Sequence, residues 1–367
     1  MVPPRLLHVF PSFGFGGVPI RIAGIITHFG RRFRHSILAL DGCIDSASRL
    51  DDGLDIRFPT LSIDKSRGMS NLWRFRRFLN GCRPDLLITY NWGAIEWALV
   101  NSIFPICRHV HMESGFGVEE AAGQLRRRVL LRRLALRRTA RIVVPSRGLV
   151  DLATGPWRCD SAKVSYIPNG VDCTRFAVPP EPDAIPGFSK SPAELVVGTV
   201  APLRPEKNLS RLVRAFAPLA EDHDARLVLV GDGVEKPKLA ALAEQLGIAD
   251  RVVFSGHVEA VERVLGWFDV FALSSDTEQM PNAVLQAMAA GLPVVGTDVG
   301  DVKLMLAPEN RAFVAPPDDD DRFRAALAAL LEQPARRAEL GRRNQDHVCA
   351  EYSAEKMFRS YETVFQC

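Results

Sequence analysis

The sequence predicts an α/β protein made of two doubly wound, Rossmann-like domains. The chain has 367 residues, which is enough for two domains of about 150 to 200 residues, each with its own apolar core. Short apolar runs alternate with helical stretches in both halves, a pattern typical of parallel strands with helices on both faces of the sheet. A Pro-rich stretch at 178–194 predicts the linker between the two domains.

Composition excludes several classes of protein. The formal net charge is +3 and charged residues make up 24% of the chain, which disfavours a disordered tail protein or a general nucleic-acid binder. The seven cysteines show no C-x-x-C or C-x-x-H pair, which favours a reduced compartment without structural zinc. The apolar run before Pro11 is too short for a signal peptide, and no stretch approaches the ~20 apolar residues of a membrane span. We therefore expect a cytoplasmic protein without a metal site.

The N-terminal half begins with a predicted strand at 5–10, a glycine-rich loop and a helix at 18–29. The loop carries the pair Gly16 and Gly17 and allows a ligand to approach the backbone, although two adjacent glycines are also typical of an ordinary tight turn. It does not match G-x-G-x-x-G, which disfavours a nicotinamide enzyme. Further elements are predicted as strands at 35–40, 55–59, 85–90, 142–145 and 163–167 and a helix at 70–79.

Polar residues follow two of these strands where ligands bind in parallel sheets. Asn91 comes directly after the strand at 85–90, and a further strand, predicted at 108–112, leads into the run His-Val-His-Met-Glu at 109–113. His109 and His111 are two residues apart and therefore face the same side of that strand. His109 fits a hydrogen-bonded core histidine equally well, whereas His111, nearer the carboxyl end, is the functional candidate. Glu113 follows the same strand and is a candidate site carboxylate.

The stretch at 124–141 is the most basic part of the chain, with eight arginines and no acidic residue. Interspersed leucines predict an amphipathic helix without a local counter-charge. It is either a solvated basic face or a contact with an anionic membrane surface, where each basic residue contributes about 1 kcal/mol. Nucleic acid is disfavoured because no aromatic interleaving accompanies the charge. The candidate membrane contacts are Arg126, Arg127, Arg128, Arg132, Arg133, Arg137 and Arg138.

The C-terminal half begins with a predicted strand at 195–200. Arg204 and Lys207 follow it, just before a helix that begins near Asn208. Two cations and a helix N-terminus together predict a pyrophosphate site. The alternative is a solvated loop in which Lys207 pairs with Glu206. Two later predicted strands are followed by glycine turns, which contain Gly231, His257 and Val258.

The stretch at 274–297 places a carboxylate, Glu278, in a loop between a strand and a short apolar helix at 282–290. Gly291 ends that helix, as a glycine with positive φ commonly does. The first N–H groups of the helix, from Met280 to Val284, predict an anion cradle. Gln286 lies one turn after Asn282 and faces the same way.

This stretch resembles the nucleotide-sugar signature of family 4 glycosyltransferases, which are retaining enzymes of the GT-B fold. Glu278 fits the first of two signature glutamates, and Pro281 with the run 287–295 fits the rest, while Gln286 stands where the second glutamate is usual. The run 167–172 resembles the interdomain signature of the family. The pair Gly16 and Gly17 is similar to its N-terminal glycine pair.

The resemblance implies two Rossmann-like domains facing a cleft, at 1–180 and 181–352, with a last helix at 353–367 crossing back. It implies that a hexose moves from a nucleoside diphosphate sugar to a glycan or lipid-linked acceptor, as in polysaccharide assembly, with retention and without a cofactor or metal. A cytoplasmic or peripheral membrane location follows.

The resemblance also implies roles for individual residues. Glu278 and His111 would orient the donor sugar, and Gln286 would hold the ribose hydroxyls, since an amide both donates and accepts. Lys207 matches a phosphate-binding lysine, and Arg204 would replace the arginine that the family has where Pro202 stands. The remaining donor contacts would come from Gly16, Gly17, Gly231, His257, Val258, Met280, Pro281 and Asn282, and the acceptor contacts from Asn91 and Glu113.

Two other functions remain open. A sugar-nucleotide epimerase of the same fold would consume its donor without an acceptor. A non-catalytic two-domain binding protein would release no nucleoside diphosphate with any acceptor. The nucleotide base, the sugar and the acceptor have no readable signature in this sequence.

Overall fold

The computed structural model describes residues 3–63, 68–116, 120 and 123–366. The chain divides into two compact units, one formed by Met1–Pro168 with Met357–Cys367 and the other by Asn169–Lys356. Each unit is an α/β layer structure with a parallel sheet, which confirms the predicted fold class.

The first unit contains a sheet in the order β3-β2-β1-β4-β5-β6-β7, with all neighbouring strands parallel. Its strands are β1 Arg5–Phe10, β2 Arg34–Ala39, β3 Ile56–Arg57, β4 Leu86–Tyr90, β5 Arg108–Met112, β6 Arg141–Val144 and β7 Val164–Tyr166. Its helices within Met1–Pro168 are α1 Gly17–Phe29, α2 Gly68–Cys82, α3 Ile95–Ile103, α4 Arg126–Ala135 and α5 Arg147–Thr154.

The second unit contains a parallel sheet in the order β10-β9-β8-β11-β12-β13. Its strands are β8 Leu195–Val200, β9 Ala225–Val230, β10 Val252–Gly256, β11 Val270–Leu273, β12 Val294–Thr297 and β13 Val314–Ala315. Its helices are α6 Cys173–Phe176, α7 Leu209–Asp222, α8 Lys236–Gln245, α9 Glu262–Leu265, α10 Asn282–Ala289, α11 Val302–Met305, α12 Asp320–Glu332 and α13 Pro334–Glu351, and α14 Ala354–Gln366 follows.

The strands are apolar runs because helices cover both faces of each sheet. Every residue of β4 is buried, and so are the last five residues of β1. In the second unit, alternate residues of one strand enter opposite cores: Val196 packs in the core on one face of the sheet, and Val197 packs in the core on the other face. Strand order reverses between β1 and β4 and again between β8 and β11, and such reversals create ligand crevices at the carboxyl ends of the strands.

The Pro-rich stretch predicted as the linker packs into the second unit. Ile185 and Phe188 are buried in its core, together with Val171 and Phe176. The division between the units therefore lies at Pro168/Asn169, earlier than the predicted boundary. Composition indicates where the chain is rich in turns, whereas the buried side chains decide to which core a segment belongs.

The last helix, α14, packs into the core of the first unit. Tyr361, Val364 and Phe365 are buried there, and the Phe365 ring contacts Phe29 and Phe33. Residues from Met357 onward therefore belong to the first unit. Within the described part of the chain, no helix is both long enough and apolar enough to cross a bilayer.

Candidate active site

The carboxyl ends of β8 and β11 bring Lys207 and Glu278 together. The two strands are neighbours in the sheet, so the loops that follow them meet at one edge. The Nζ atom of Lys207 lies 2.6 Å from Oε1 of Glu278, and the hydroxyl of Ser275 donates to the same oxygen at 2.8 Å. Both charged side chains are mostly buried. Lys207 therefore does not form the alternative pair with Glu206, and the predicted phosphate and sugar residues share one site.

Two hydrogen bonds hold these loops in a fixed relation. The hydroxyl of Ser274 donates to the carbonyl of Lys207 at 3.0 Å, and the N–H of Asp276 donates to the carbonyl of Glu206 at 3.0 Å. Because both bonds involve backbone groups, the spacing of the loops does not depend on the Lys207–Glu278 ion pair.

Gly300 supports the backbone of Glu278 from the loop after β12. Its φ is +55°, and a Cβ atom there would lie 2.5 Å from the carbonyl oxygen of Glu278 and 2.6 Å from that of Gln279. The next residue, Asp301, donates its N–H to the carbonyl of Gln279 at 2.8 Å. The sequence did not identify Gly300 or Ser275 as site residues. The only signals were a glycine before a short helix and a polar run before Glu278.

The helix α10 begins at Asn282, as predicted, but its anion cradle is smaller than the predicted Met280–Val284. Pro281 has no N–H group, and the N–H of Val284 donates to the carbonyl of Pro281 at 3.2 Å. The side chain of Asn169 donates to the carbonyl of Met280 at 2.9 Å and fixes the start of the helix. The cradle is smaller because the N–H of Val284 already forms a turn hydrogen bond and Pro281 has no N–H to offer.

Gln286 lies on α10 one turn after Asn282 and is half-buried. Gly291 follows the helix with φ +74°, which confirms its predicted role in ending it. Gln286 therefore lies on the helix that directly follows the loop containing Glu278.

The remaining predicted donor residues of the second unit follow β8, β9 and β10. Arg204 is exposed after β8. Gly231 follows β9 with φ +138°, which favours glycine, and its N–H donates to the carbonyl of Gly256 at 2.9 Å. His257 is exposed, and Val258 packs against the core of the unit.

In the first unit, the predicted residues lie after β1, β4 and β5. Gly16 caps α1 and Gly17 begins it. Asn91 has φ +54°, and its side-chain oxygen accepts from the N–H of Ser114 at 2.8 Å. The hydroxyl of Ser114 accepts from Arg21 at 2.8 Å. Asn91 therefore ties the end of β4 to the loop after β5.

His109 and His111 share one hydroxyl, that of Thr89. Its Oγ1 lies 2.8 Å from Nε2 of His109 and 2.8 Å from Nδ1 of His111. The other nitrogen of His109 lies 2.9 Å from Oγ1 of Thr139. Burial, with a smaller contribution from His111, lowers the pKa of His109 well below its usual value. His109 is thus a neutral, hydrogen-bonded core histidine.

His111 and Glu113 are both fully buried. Oε2 of Glu113 lies 3.7 Å from Nε2 of His111 and 3.7 Å from Nε of Arg132. Neither oxygen of Glu113 has a hydrogen-bond partner among the described residues. The expected contacts of His111 with the donor sugar and of Glu113 with the acceptor stay predictions.

Arg132 lies at the centre of a buried charged cluster. Its guanidinium donates to both carboxylate oxygens of Glu120, at 3.1 and 2.9 Å, and to the side chain of Gln124 at 3.1 Å. Burial works to raise the pKa of Glu120, but the hydrogen bonds and charge of Arg132 hold it below the usual value. Three aromatic rings surround the guanidinium carbon at 4.9 to 5.2 Å: Trp92, Phe116 and Trp157.

The structure corrects three predictions for the arginine-rich stretch: its helical extent, Arg132 as a membrane contact, and the lack of a local counter-charge. Its helix is only α4, and Arg141 already begins β6. Arg132 is fully buried and cannot contact a membrane, and Glu120 is a local counter-charge for Arg132 and Arg128. The sequence obscured this pairing because Glu120 lies outside the basic stretch. The arginines that remain exposed are Arg126, Arg127, Arg137 and Arg138.

No cluster of metal-ligating side chains is present within the described ranges. The six cysteines that the structure describes are all free. The seventh, Cys367, lies outside the described residues.

Two family models match the chain. A glycosyl transferase 4-like domain matches residues 16–170, and the glycosyl transferases group 1 model matches residues 183–347. The two matches occupy most of both units. The chain therefore belongs to the glycosyltransferases of the family 4 type, and its two parallel-sheet units are those of the GT-B fold.

Several relatives carry glycosyltransferase names. N-acetyl-alpha-D-glucosaminyl L-malate synthase of Bacillus anthracis is 30% identical over 178 residues, 48% of this chain and 47% of that protein. The 2-deoxystreptamine N-acetyl-D-glucosaminyltransferase of Streptomyces fradiae is 27% identical over 301 residues, 76% of this chain and 70% of that protein. The first match thus spans about half of the relative's length.

Solved structures share the fold across the whole chain. Anabaena Alr3699/HepE in complex with UDP has a TM-score of 0.81 at 17% identity, with 99% of each chain covered. WaaG, a glycosyltransferase involved in lipopolysaccharide biosynthesis, has a TM-score of 0.74 at 18% identity, with 98% of this chain and 99% of that chain covered. At this identity the similarity shows the fold alone.

Proposed function

We propose that this chain is a retaining hexosyltransferase that uses a nucleoside diphosphate sugar as donor and a glycan or lipid-linked hydroxyl as acceptor. The observation that carries the proposal is the Lys207–Glu278 pair, 2.6 Å apart at adjacent strand ends. A cation suits the donor phosphates and a carboxylate suits the sugar hydroxyls, so the pair suits a ligand that carries both. Family membership and the names of the relatives support this assignment.

The chemistry requires stabilisation of a leaving nucleoside diphosphate. The bond between the anomeric carbon and the phosphate oxygen breaks, and the acceptor oxygen bonds to the same face of the sugar. The acceptor proton passes to the departing phosphate oxygen. We assign the growing negative charge to Lys207, Arg204 and the N-terminus of α10, which act through fixed charges and dipoles. We assign the sugar hydroxyls to Glu278 and the ribose hydroxyls to Gln286. In this proposal cations of the chain, rather than a metal ion, stabilise the leaving group.

The direct test is a panel of UDP-linked and GDP-linked hexoses, with release of nucleoside diphosphate as the readout. Donor binding is expected to raise the melting temperature, since a ligand at 100 times its dissociation constant adds about 2.7 kcal/mol. Turnover is expected to require an acceptor hydroxyl, to keep the anomeric configuration and to persist with a metal chelator.

The outcomes of this panel separate the alternatives. A donor that is consumed without an acceptor and without transfer would support the epimerase. Binding without nucleoside diphosphate release, across all donors and acceptors, would support the binding protein and contradict the proposed transfer.

We also propose that the first unit contacts an anionic membrane surface and thereby meets a lipid-linked acceptor. Leu130 and Leu134 on α4 are exposed by 57% and 52%. They lie one turn apart on the helix that carries exposed Arg126 and Arg127. Exposed leucines beside exposed arginines suit the boundary between lipid headgroups and acyl chains. We call these four residues, together with Arg137 and Arg138, the basic patch.

A further inference from the structure

A chain of buried hydrogen-bonding groups crosses the first unit from Thr139 to His111. Oγ1 of Thr139 lies 2.9 Å from Nδ1 of His109, and Nε2 of His109 lies 2.8 Å from Oγ1 of Thr89. Oγ1 of Thr89 lies 2.8 Å from Nδ1 of His111. All four side chains are buried. A hydroxyl has one proton to donate and two lone pairs, so Thr89 can donate to only one of the two imidazoles, and it accepts from the other.

Glu113 decides between the two directions. If Thr89 donates to Nδ1 of His111, then Nε2 of His111 carries the proton and points it at Oε2 of Glu113, 3.7 Å away. In the opposite direction, the lone pair of Nε2 faces the carboxylate, and two acceptors oppose each other. His109 is neutral in either direction, in agreement with its lowered pKa, so the contact between His111 and Glu113 is what distinguishes the two directions.

Arg132 compensates the charge of Glu113 from the other side. Its Nε lies 3.7 Å from Oε2 of Glu113, while its two terminal nitrogens donate to Glu120. One guanidinium thus bridges two buried carboxylates, which a lysine ammonium cannot do with the same geometry. The aromatic rings around Arg132 hold the guanidinium in place.

We propose that Glu113, held by Arg132, keeps His111 in the Nε2–H tautomer. We further propose that Arg132, Glu113 and His111, together called the relay, position the loop after β5 for sugar transfer. Glu113 also donates its N–H to Val143 at 3.1 Å, and the neighbouring Ser114 donates to Asn91. The relay thus braces the carboxyl ends of β4, β5 and β6. Its catalytic consequence rests on the proposed function, whereas the tautomer does not. In this assignment Arg132 and Glu113 are positioning residues.

The tautomer can be measured without any assay of activity. Selective ¹⁵N labelling of histidine, with assignment by His111→Gln, resolves the two ring nitrogens of His111 at mildly alkaline pH. We expect a protonated Nε2 and an unprotonated Nδ1 in His111, and the same tautomer in His109. A protonated Nδ1 in His111 of the wild-type protein would overturn the proposal.

The effect on transfer can be measured by a double-mutant cycle with Arg132→Lys and Glu113→Gln. We expect each single variant to lower kcat about tenfold or more, with the donor KM within about twofold, and the double variant to resemble Glu113→Gln alone. The matched control is Arg141→Lys, which changes an arginine that donates to the carbonyl of Ala162 at 3.0 Å. Its kcat is expected to stay unchanged.

The outcomes separate the proposal from a structural role and from the proposed function. Multiplicative losses in the double variant would mean that Arg132 only supports the fold, and the positioning role would be wrong. If Arg132→Lys does not unfold cooperatively, Glu120→Gln, which keeps the shape of the side chain, replaces it in the same cycle. If the wild-type protein transfers no sugar, the proposed function and the positioning role for transfer both fail, while the tautomer measurement still decides whether the relay exists.

Discussion

The Nζ atom of Lys207 lies 2.6 Å from Oε1 of Glu278, although 71 positions separate the two residues in the chain. The sequence predicts separate roles for them: the lysine would bind a donor phosphate, and the glutamate would contact the donor sugar. Their pairing means that the lysine fixes the orientation of a mostly buried carboxylate. A change at either residue is therefore expected to alter the position of the other, and in the proposed donor complex the lysine would contact both the carboxylate and a phosphate.

Lys207→Ala is expected to weaken nucleoside diphosphate binding and to lower kcat, each by roughly 10- to 100-fold, because charge-assisted hydrogen bonds contribute about 1.5 to 3 kcal/mol. Calorimetric titration and single-turnover kinetics measure the two effects. Lys238→Ala is the control, since it removes an exposed lysine paired with Glu235 on the same unit. Unchanged nucleotide affinity and rate in Lys207→Ala would refute the phosphate assignment.

Gln286→Glu is expected to keep activity, whereas Gln286→Leu is expected to lose on the order of 1 to 3 kcal/mol of donor binding, because ribose hydroxyls would lose their partner. Donor dissociation constants for the three proteins check this. Glu278→Gln provides a contrast, since it is expected to lower turnover while the melting temperature stays at the wild-type value. Equal donor affinity in the Leu variant and the wild type would leave Gln286 with a structural role only.

Gly300→Ala is expected to destabilise the second unit by about 1 to 3 kcal/mol and to lower kcat, since φ is +55° and the added Cβ would press on the carbonyl of Glu278. Gly24→Ala is the control, because a Cβ there meets no atom within 4 Å on α1, and it is expected to stabilise by about 0.5 to 1 kcal/mol. Urea unfolding and donor turnover measure both effects. A Gly300→Ala protein with wild-type stability would contradict the strain argument.

Acid is expected to destabilise the first unit through its buried histidines. Burial lowers the pKa of His35 to about 4, and it lowers the pKa values of His8 and His109 well below the usual value. The unfolded chain takes up these protons near pH ~6.5. The stability they contribute is thus present above pH ~6.5 and is lost as the pH falls towards about 4, on the order of 3 kcal/mol for His35.

Urea unfolding at a series of pH values, followed by tryptophan fluorescence, checks this dependence. Four of the five tryptophans are in the first unit: Trp73, Trp92, Trp97 and Trp157. A His35→Asn variant is expected to show a shallower loss of stability on acidification, even though it starts less stable. An unfolding midpoint that stays constant between pH ~6.5 and ~4 would contradict this linkage.

The basic patch is expected to bind vesicles that contain anionic lipid, to bind neutral vesicles weakly, and to release as salt shortens the screening length from ~10 Å at 0.1 M to ~3 Å at 1 M. Replacing its four arginines with Gln is expected to abolish flotation with vesicles and to leave nucleotide binding intact. A control with the same charge change uses exposed arginines of the second unit: Arg322, Arg324, Arg342 and Arg343. If the wild-type protein does not bind anionic vesicles at low salt, this result would favour a soluble acceptor.

Local pattern was enough to predict much of this protein. Apolar runs and glycine turns placed β1 and β5 at their observed bounds, and Gly291 ended α10 as expected. The spacing around Glu278 identified the family, and the families matched to the two halves confirm it. These features depend on residues that are near neighbours in the chain, where periodicity and φ preferences act directly.

Only the tertiary structure decided which distant groups meet. The sequence could not show that Lys207 pairs with Glu278, that Gly300 supports the same loop, or that Arg132 leaves the basic face to bridge two buried carboxylates. The local sequence around an arginine does not reveal whether its side chain is solvated or buried. Its location depends on whether a counter-charge and a set of rings, brought together by other strands and helices, offset the loss of its water.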